Sequence, residues 1–285
     1  MTHWASRIKH KGFSRRTFLW LALGIANALV VGDGLYVEPR DLEVKQVSLP
    51  LPQLPAGREL RVAHLSDLHI RSFSDYHEEV ARLTNAQKPD IVLLTGDFFD
   101  YHRDVAGVLK FLGLLRAPLG AFAIQGNWEH KVRLAGERLR SLFAPWEGTL
   151  LIDQRHDLEW QGVPISLLGL DYPSGPANLE RLRGKVDPNR LNLLLSHAPA
   201  FDHDFLGDRV DLVLSGHTHG GQIRLPFLPP FYLPAHSGRF VAGLYRVGRA
   251  ETPLYVTRGI GTVQIPVRLF CRPEITLFRL YGGRQ

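Results

Sequence analysis

Cysteine is almost absent: Cys271 stands alone in 285 residues. A single thiol excludes an intramolecular disulfide and any thiolate-based metal site, so a metal here must be held by His, Asp, Glu or Asn. Cys271 lies in Leu269-Phe270-Cys271 and reads as a small buried residue without a chemical role. Acidic residues are missing from the first 32 positions, which hold Arg7, Lys9, Lys11, Arg15 and Arg16. These five account for most of the formal charge of +6, so the rest of the chain is nearly neutral despite a sequence pI near 9.6. No later basic stripe with interleaved aromatics occurs, which argues against nucleic-acid binding. Internal repeats and low-complexity tracts are lacking too. With 45% hydrophobic and 22% charged residues, the composition is that of one globular domain with a sizeable core.

What is present begins with Ser14-Arg15-Arg16-Thr17-Phe18-Leu19, running into an apolar stretch that reaches Gly32. Basic residues, a paired arginine and an apolar run in that order resemble a twin-arginine signal. The resemblance implies that residues 1–38 are a leader and linker read by the twin-arginine export machinery. Ala26-Asn27-Ala28 offers a cleavage site; retention as a membrane anchor is the alternative. The run from Phe18 to Gly32 is about 15 residues, shorter than the roughly 20 of a comfortable membrane span. The expected location is outside the membrane, exported or anchored facing outward, with the cytoplasmic face of the membrane as the other option. The folded domain is then 39–285.

Residues 33–57 read as a linker with one edge strand, 44–49, closed by Pro50, Pro52 and Pro55. Beyond it, apolar runs at 60–66, 91–95 and 121–125 read as buried strands, with helical spacing at 75–88 and 104–116 between them. Strand and helix alternate, which predicts an α/β arrangement with its site outside the carboxyl edge of the strands. Further strands are expected at 165–170, 191–195 and 210–214. A β-rich tail at 240–247, 253–257 and 274–281 predicts a second sheet packed on the first.

Polar residues collect where these strands end: Asp67 and His69, Asp97, Asn127, His197, then His217 and His219. In an extended segment, residues two apart share a face, so Asp67 with His69, and His217 with His219, are expected to point the same way. Any one of these histidines alone reads equally as a hydrogen-bonded surface or core residue. Two carboxylates, one amide oxygen and four imidazoles are together more than one ion needs and suit two divalent metal ions. Nitrogen and oxygen donors without thiolate favour manganese, iron or zinc. A shared carboxylate such as Asp97 can bridge two cations.

The series Asp-x-His, Gly-Asp, Gly-Asn-x-Glu, His, Gly-His-x-His resembles the calcineurin-like metallophosphoesterases from about residue 59 to the C-terminus. That resemblance implies a four-layer fold, a two-sheet β sandwich flanked by helices. It further implies that Asp67, His69, Asp97 and His219 hold one metal, and that Asp97, Asn127, His197 and His217 hold the other. The implied reaction is direct hydrolysis of a phosphoric ester by a metal-activated water, without a covalent enzyme intermediate.

One position departs from the family pattern. Where the family usually carries a histidine after Gly-Asn, this chain has Trp128, whose indole N–H has no acid–base function near neutral pH. His130 could take that role, or be a solvated residue at a helix start; Glu129 reads as a charge at a helix N-terminus. The apolar, proline-stiffened stretch from Ile223 to Pro234 begins beside the His pair and could meet an acyl chain or a membrane, or fold back over the core. Together with Gly-His-Thr-His-Gly-Gly-Gln it resembles the bacterial exported or membrane-associated phosphodiesterases. The resemblance points to a phosphodiester substrate, lipid-linked or of the envelope, such as UDP-diacylglucosamine. A phosphomonoesterase and a non-catalytic metal scaffold that binds a protein are the other readings.

Overall fold

Residues one apart along the central strands go to different layers. Val62 packs inward between two sheets while Ala63 faces outward, and Leu193 and Leu195 point inward while Leu194 points out. This period of two, applied to strands apolar on both faces, requires cover on both sides. The computed structural model describes residues 14–205 and 207–283 and supplies that cover.

The strands are β1 (Glu43–Pro50), β2 (Glu59–Leu65), β3 (Ile91–Thr95), β4 (Ala121–Ile124), β5 (Thr149–Leu150), β6 (Gln154–Trp160), β7 (Val163–Leu170), β8 (Leu191–Ser196), β9 (Leu212–Ser215), β10 (Gly243–Val247), β11 (Thr252–Val256) and β12 (Glu274–Tyr281). The helices are α1 (Arg15–Gly32), α2 (Asp75–Ala86), α3 (Val105–Leu112), α4 (Asn127–Lys131), α5 (Glu137–Phe143) and α6 (Pro176–Arg183).

Two six-stranded mixed sheets result, in the orders β1-β12-β2-β3-β4-β5 and β10-β11-β9-β8-β7-β6. Leu60, Val62, Leu93, Ile124, Leu167, Leu193, Leu214 and Phe278 fill the space between them. The outer face of the first sheet buries Val92 and Leu94 with Val80 of α2, Val108 and Phe111 of α3, and Leu139 and Phe143 of α5. The outer face of the second sheet buries Leu168, Leu194 and Val213 against Leu179 and Leu182 of α6. This is the four-layer sandwich expected. The tail divides: β10 and β11 join the second sheet, while β12 inserts into the first, parallel to β1 and antiparallel to β2.

The N-terminal region differs from the expected linker. After α1 the chain stays helical through a wide turn at Asp33–Val37 and a tight one at Glu38–Arg40. The stretch Arg15–Arg40, 26 residues, is long and apolar enough to cross a membrane, about 39 Å at 1.5 Å per residue. No residue of α1 is buried. Ser14 caps the helix, its hydroxyl accepting the N–H of Thr17 at 3.1 Å. Among the described residues the stretch is tied to the domain at its end. Gly34 packs against the backbone of Arg268, whose N–H it accepts, and the buried Glu38 carboxylate accepts the N–H groups of Phe270 and Cys271. The remaining basic residues of the leader, Arg7, Lys9 and Lys11, lie outside the described residues.

Candidate metal centre

Five parallel or near-parallel strand ends converge on one edge of the sandwich. Asp67 and His69 follow β2, Asp97 follows β3, Asn127 opens α4 after β4, His197 follows β8, and His217 and His219 follow β9. The expected extended alternation does not orient them. Asp67, His69, Asp97, His217 and His219 have φ of 52°, 43°, 56°, 71° and 51°, a left-handed backbone that non-glycine residues rarely adopt. Each costs of order 1–3 kcal/mol and persists only where its surroundings hold it. Here the holding is by backbone bonds between the strand ends: Asp67 N–H to Gly96 O at 3.0 Å and His69 N–H to Asp97 O at 3.0 Å. The turns also separate His217 from His219, which join different ligand groups.

Glycine is required beside the ligands because of space. A Cβ at Gly126 would run into the Asp97 carboxylate and the His197 ring, and one at Gly216 into Ser66 and the Asp67 carboxylate. The Gly-Asn and Gly-His steps of the sequence are these two close approaches.

Two clusters form, each with its ligand atoms within 4.8 Å of one another: Asp67, His69 and His219, and Asp97, His197 and His217. Asp97 Oδ2 lies between them, 3.5 Å from His69 Nε2 and 3.3 Å from His197 Nε2. Asn127 Oδ1 completes the second group, 2.9 Å from His197 Nε2 and 2.7 Å from His217 Nδ1.

The outward-facing nitrogens decide what these groups can bind. His69 Nδ1 meets Asp100 at 2.6 Å, His197 Nδ1 meets the Thr95 carbonyl at 2.6 Å, and His217 Nε2 meets the Ala235 carbonyl at 2.6 Å. Each of those oxygens accepts a hydrogen bond from the ring N–H, which keeps the proton on that outer nitrogen and leaves a lone pair on the nitrogen that faces inward. His197 Nε2 and His217 Nδ1 then face each other at 3.0 Å, and His69 Nε2 faces His219 Nε2 at 3.2 Å. The His197 and His217 lone pairs turned on one another beside Asp97, and the His69 lone pair beside His219, whose Nδ1 is buried without a partner, fit cations inside this carboxylate cage. The donor set matches two divalent ions.

The electrostatics agree. Burial pushes Asp67 up. Burial also acts to raise Asp97, but the His197 charge and hydrogen bond, with His69 and the Trp128 N–H, outweigh it and hold Asp97 low. Burial acts to lower His197, yet Asp97 and Asp67 lift it to about 9. The carboxylates thus demand positive charge where the His197 lone pair points, from a proton or from a metal. Burial, with repulsion from His197, lowers His217 to about 4; burial, with repulsion from His69, depresses His219. Both favour the neutral imidazole that a metal needs.

Several participants were not visible as such in the sequence. Asp100, three residues after Asp97, orients His69 and also accepts Arg71. Glu129, expected as a charge at a helix N-terminus, stands in the first turn of α4 and is fully buried there, and its carboxylate receives the N–H groups of Gly126, Asp97 and Phe98. Burial, then the Asp97 charge, pushes it up to about 7.

A cleft of about 180 Å³ opens over the clusters, lined by Asp97, Asn127, Trp128, Lys131, His217, His219, Tyr232, Pro234, Val263 and Gln264. Trp128 takes the place expected for a histidine, and the Lys131 ammonium lies 3.6 Å from its ring centroid. His130 is turned elsewhere, its Nε2 at 3.1 Å from both Asp171 and Gln125, and it is not among the residues lining the cleft. The Tyr172 ring stands near His130, His197 and His217 alike.

Buried carboxylates and inward lone pairs at the strand ends of an α/β/β/α sandwich define a metallophosphoesterase. Residues 60–221 match the calcineurin-like phosphoesterase family, and the chain belongs to it. It is 31% identical over 284 residues to the uncharacterized metallophosphoesterase YkuE of Bacillus subtilis, covering 95% of this chain and 98% of that one. It is 32% identical over 286 residues to the phosphodiesterase YaeI of Escherichia coli, covering 94% and 99%. A bovine transmembrane protein with metallophosphoesterase domain is 31% identical over 287 residues, covering 90% of this chain and 61% of its own length. The chain is therefore a hydrolase acting on phosphoesters, and its two ligand clusters fit a dinuclear metal centre.

Proposed function

We propose that the protein is a phosphodiesterase working with two divalent cations drawn from manganese, iron and zinc. Asp67, His69, Asp97 and His219 hold one, and Asp97, Asn127, His197 and His217 hold the other. The observation that carries this is the spent outer proton of His69, His197 and His217, which leaves their inner lone pairs converging around Asp97. Bound there, the cations supply Lewis acidity toward a phosphoryl oxygen and lower the pKa of an attacking water.

The chain's own residues orient the substrate and set the charge around it. Lys131, stacked on Trp128 at the cleft, presents a cation to non-reacting phosphoryl oxygens. Trp128 has no acid–base function near neutral pH, which favours diesters whose leaving group departs without an acid. His130 can protonate a leaving group only by turning from Asp171 to the cleft; unchanged turnover in His130→Gln removes it from the reaction.

The leader reading is part of the same proposal. The paired Arg15 and Arg16 support export by the twin-arginine machinery, and α1 supports retention as an anchor, with the domain on the outer side. An envelope or lipid-linked phosphodiester such as UDP-diacylglucosamine is supported by a largely apolar cavity of about 240 Å³. It shares His219, Tyr232, Pro234, Val263 and Gln264 with the cleft.

The test is hydrolysis of bis-p-nitrophenyl phosphate against p-nitrophenyl phosphate by metal-stripped protein resupplied with manganese, iron, zinc or magnesium. Diester turnover restored by a transition metal is expected. A faster monoester sinks the diester reading in favour of a phosphomonoesterase, and two bound ions without any turnover favour the scaffold reading.

A further inference from the structure

The end of the anchor stretch and the mouth of the cleft share one strip of backbone. Gly34 and Glu38 bond to residues 268, 270 and 271. The same segment pairs with the chain just after the His pair: Leu269 N–H goes to Gln222 O at 3.0 Å and Arg224 N–H to Leu269 O at 2.9 Å. Gln222 in turn grips Val263 and Ile265 through its side chain. The exit of α1, the segment 263–271 and the loop that starts at Ile223 therefore lie side by side.

That face is apolar and uncovered. Phe227 is fully exposed, Phe231 69% exposed and Tyr232 62%, and Leu225, Leu228, Ile265 and Phe270 are exposed with them. Tyr36 and Val37, between Gly34 and Glu38 at the foot of the anchor, are exposed as well. From Leu225 to Gly238 there is no Asp, Glu, Lys or Arg, while Arg224 and Arg239 flank the run. Uncharged aromatic and aliphatic residues between two arginines suit the boundary of a bilayer, where rings sit at the headgroup level and cations meet lipid phosphates. Pro226, Pro229, Pro230 and Pro234 fix the loop in its protruding shape without a partner to hold it.

We propose that Leu225, Phe227, Leu228, Phe231, Ile265 and Phe270 form a second membrane contact, which lays the mouth of the cleft on a lipid bilayer beside the foot of α1. The occupant is the bilayer because the strip is continuous with the one helix, among the described residues, that is long and apolar enough to enter it. The contact rests on the reading of α1 as an anchor and deepens the lipid-linked reading of the substrate. A phosphodiester carried on an acyl chain then reaches the cleft from the membrane, its chain beside Phe231, Tyr232 and Ile265 and its phosphate over Asp97.

The experiment reads depth and does not depend on turnover, so its failure is separate from failure of the phosphodiesterase reading. The full chain is reconstituted in phosphatidylethanolamine–phosphatidylglycerol vesicles with a small fluorophore on Phe227→Cys; Cys271 is buried and stays unlabelled. Glu159→Cys, exposed near the amino end of β7 and so at the opposite end of the second sheet, is the control. Brominated acyl chains are expected to quench the label at 227 at least twofold, and iodide on both sides of the membrane to leave it bright, with the reverse at 159. Quenching by iodide alike at both sites overturns the proposal. Protection at 227 from both quenchers overturns it too, because another protein surface then covers the loop.

Discussion

Glu129 Oε2 accepts the backbone N–H of Asp97 at 3.0 Å, so a buried carboxylate holds in place the very turn that aims a second one. The same side chain takes the N–H groups of Phe98 at 2.8 Å and Gly126 at 2.7 Å. It thereby clamps the end of β3 to the end of β4. Glu129→Gln keeps the volume but turns an amide NH₂ toward backbone donors. Leaving such groups unsatisfied costs about 1–3 kcal/mol. A lower midpoint in urea unfolding with weaker metal retention is expected; unchanged stability would show that the clamp is dispensable.

Asp97 reaches both clusters through one oxygen. Asp97→Asn halves the charge available to the pair and should lower diester turnover about 10²–10³-fold, the scale of several kcal/mol of lost metal assistance. Circular dichroism should stay unchanged, with metal content reduced. Substantial residual turnover at full metal content would count against a bridging role.

Asp100 acts through His69 rather than on the substrate. Asp100→Asn removes the charge that holds the Nδ1 proton of His69, and loss of such a partner weakens metal binding by about 10–100-fold. Titration of the stripped protein with zinc or manganese reads this directly. The decisive pattern is weaker metal affinity with turnover recovered at saturating metal; a loss that metal cannot restore would place Asp100 in the reaction itself.

Away from the site, Asp211 gives a pH signature. Burial pushes it up to about 6 from the ordinary 3.8, although the Asn192 N–H and the Gln53 amide favour its charged form. Between those values the folded protein holds more protons than the unfolded chain, so this group's contribution is present below about pH 4 and lost as pH rises through 6. Asp211→Asn should gain stability relative to the parent between pH 4.5 and pH 7. Parallel unfolding curves for the two proteins at both pH values would contradict this.

The residue types of the site were legible because they sit immediately after apolar runs, and strands end where glycine and polar residues begin. Asp67, His69, Asp97, Asn127, His197, His217 and His219 all occupy the strand ends read from those runs. Their orientation was not legible. Alternation along an extended chain would place His217 beside His219, whereas left-handed turns send them to different clusters. The acceptors that fix the imidazole tautomers, Thr95 O and Ala235 O, are backbone atoms and carry no side-chain signature. Glu129 is a helix N-terminal charge as read, but its burial was hidden for a related reason: a carboxylate in the first turn of a helix is usually solvated, and only the approach of a neighbouring strand end buries it. Sheet membership of the tail was also hidden, since strand period says nothing about partners; β12 passes over to the first sheet.

That crossing sets an order of events during synthesis. β12 lies between β1 and β2, so the first sheet is missing an internal strand until residues 274–281 have left the ribosome. The edge of β2 and the loops after it, which carry Asp67 and His69, stay open while more than two hundred further residues are translated. Closure therefore waits on contacts between segments far apart in sequence, which are slow to form. Without β12 the strand that carries Asp67 and His69 keeps an open edge, so part of the ligand set depends on a segment about two hundred residues away in sequence.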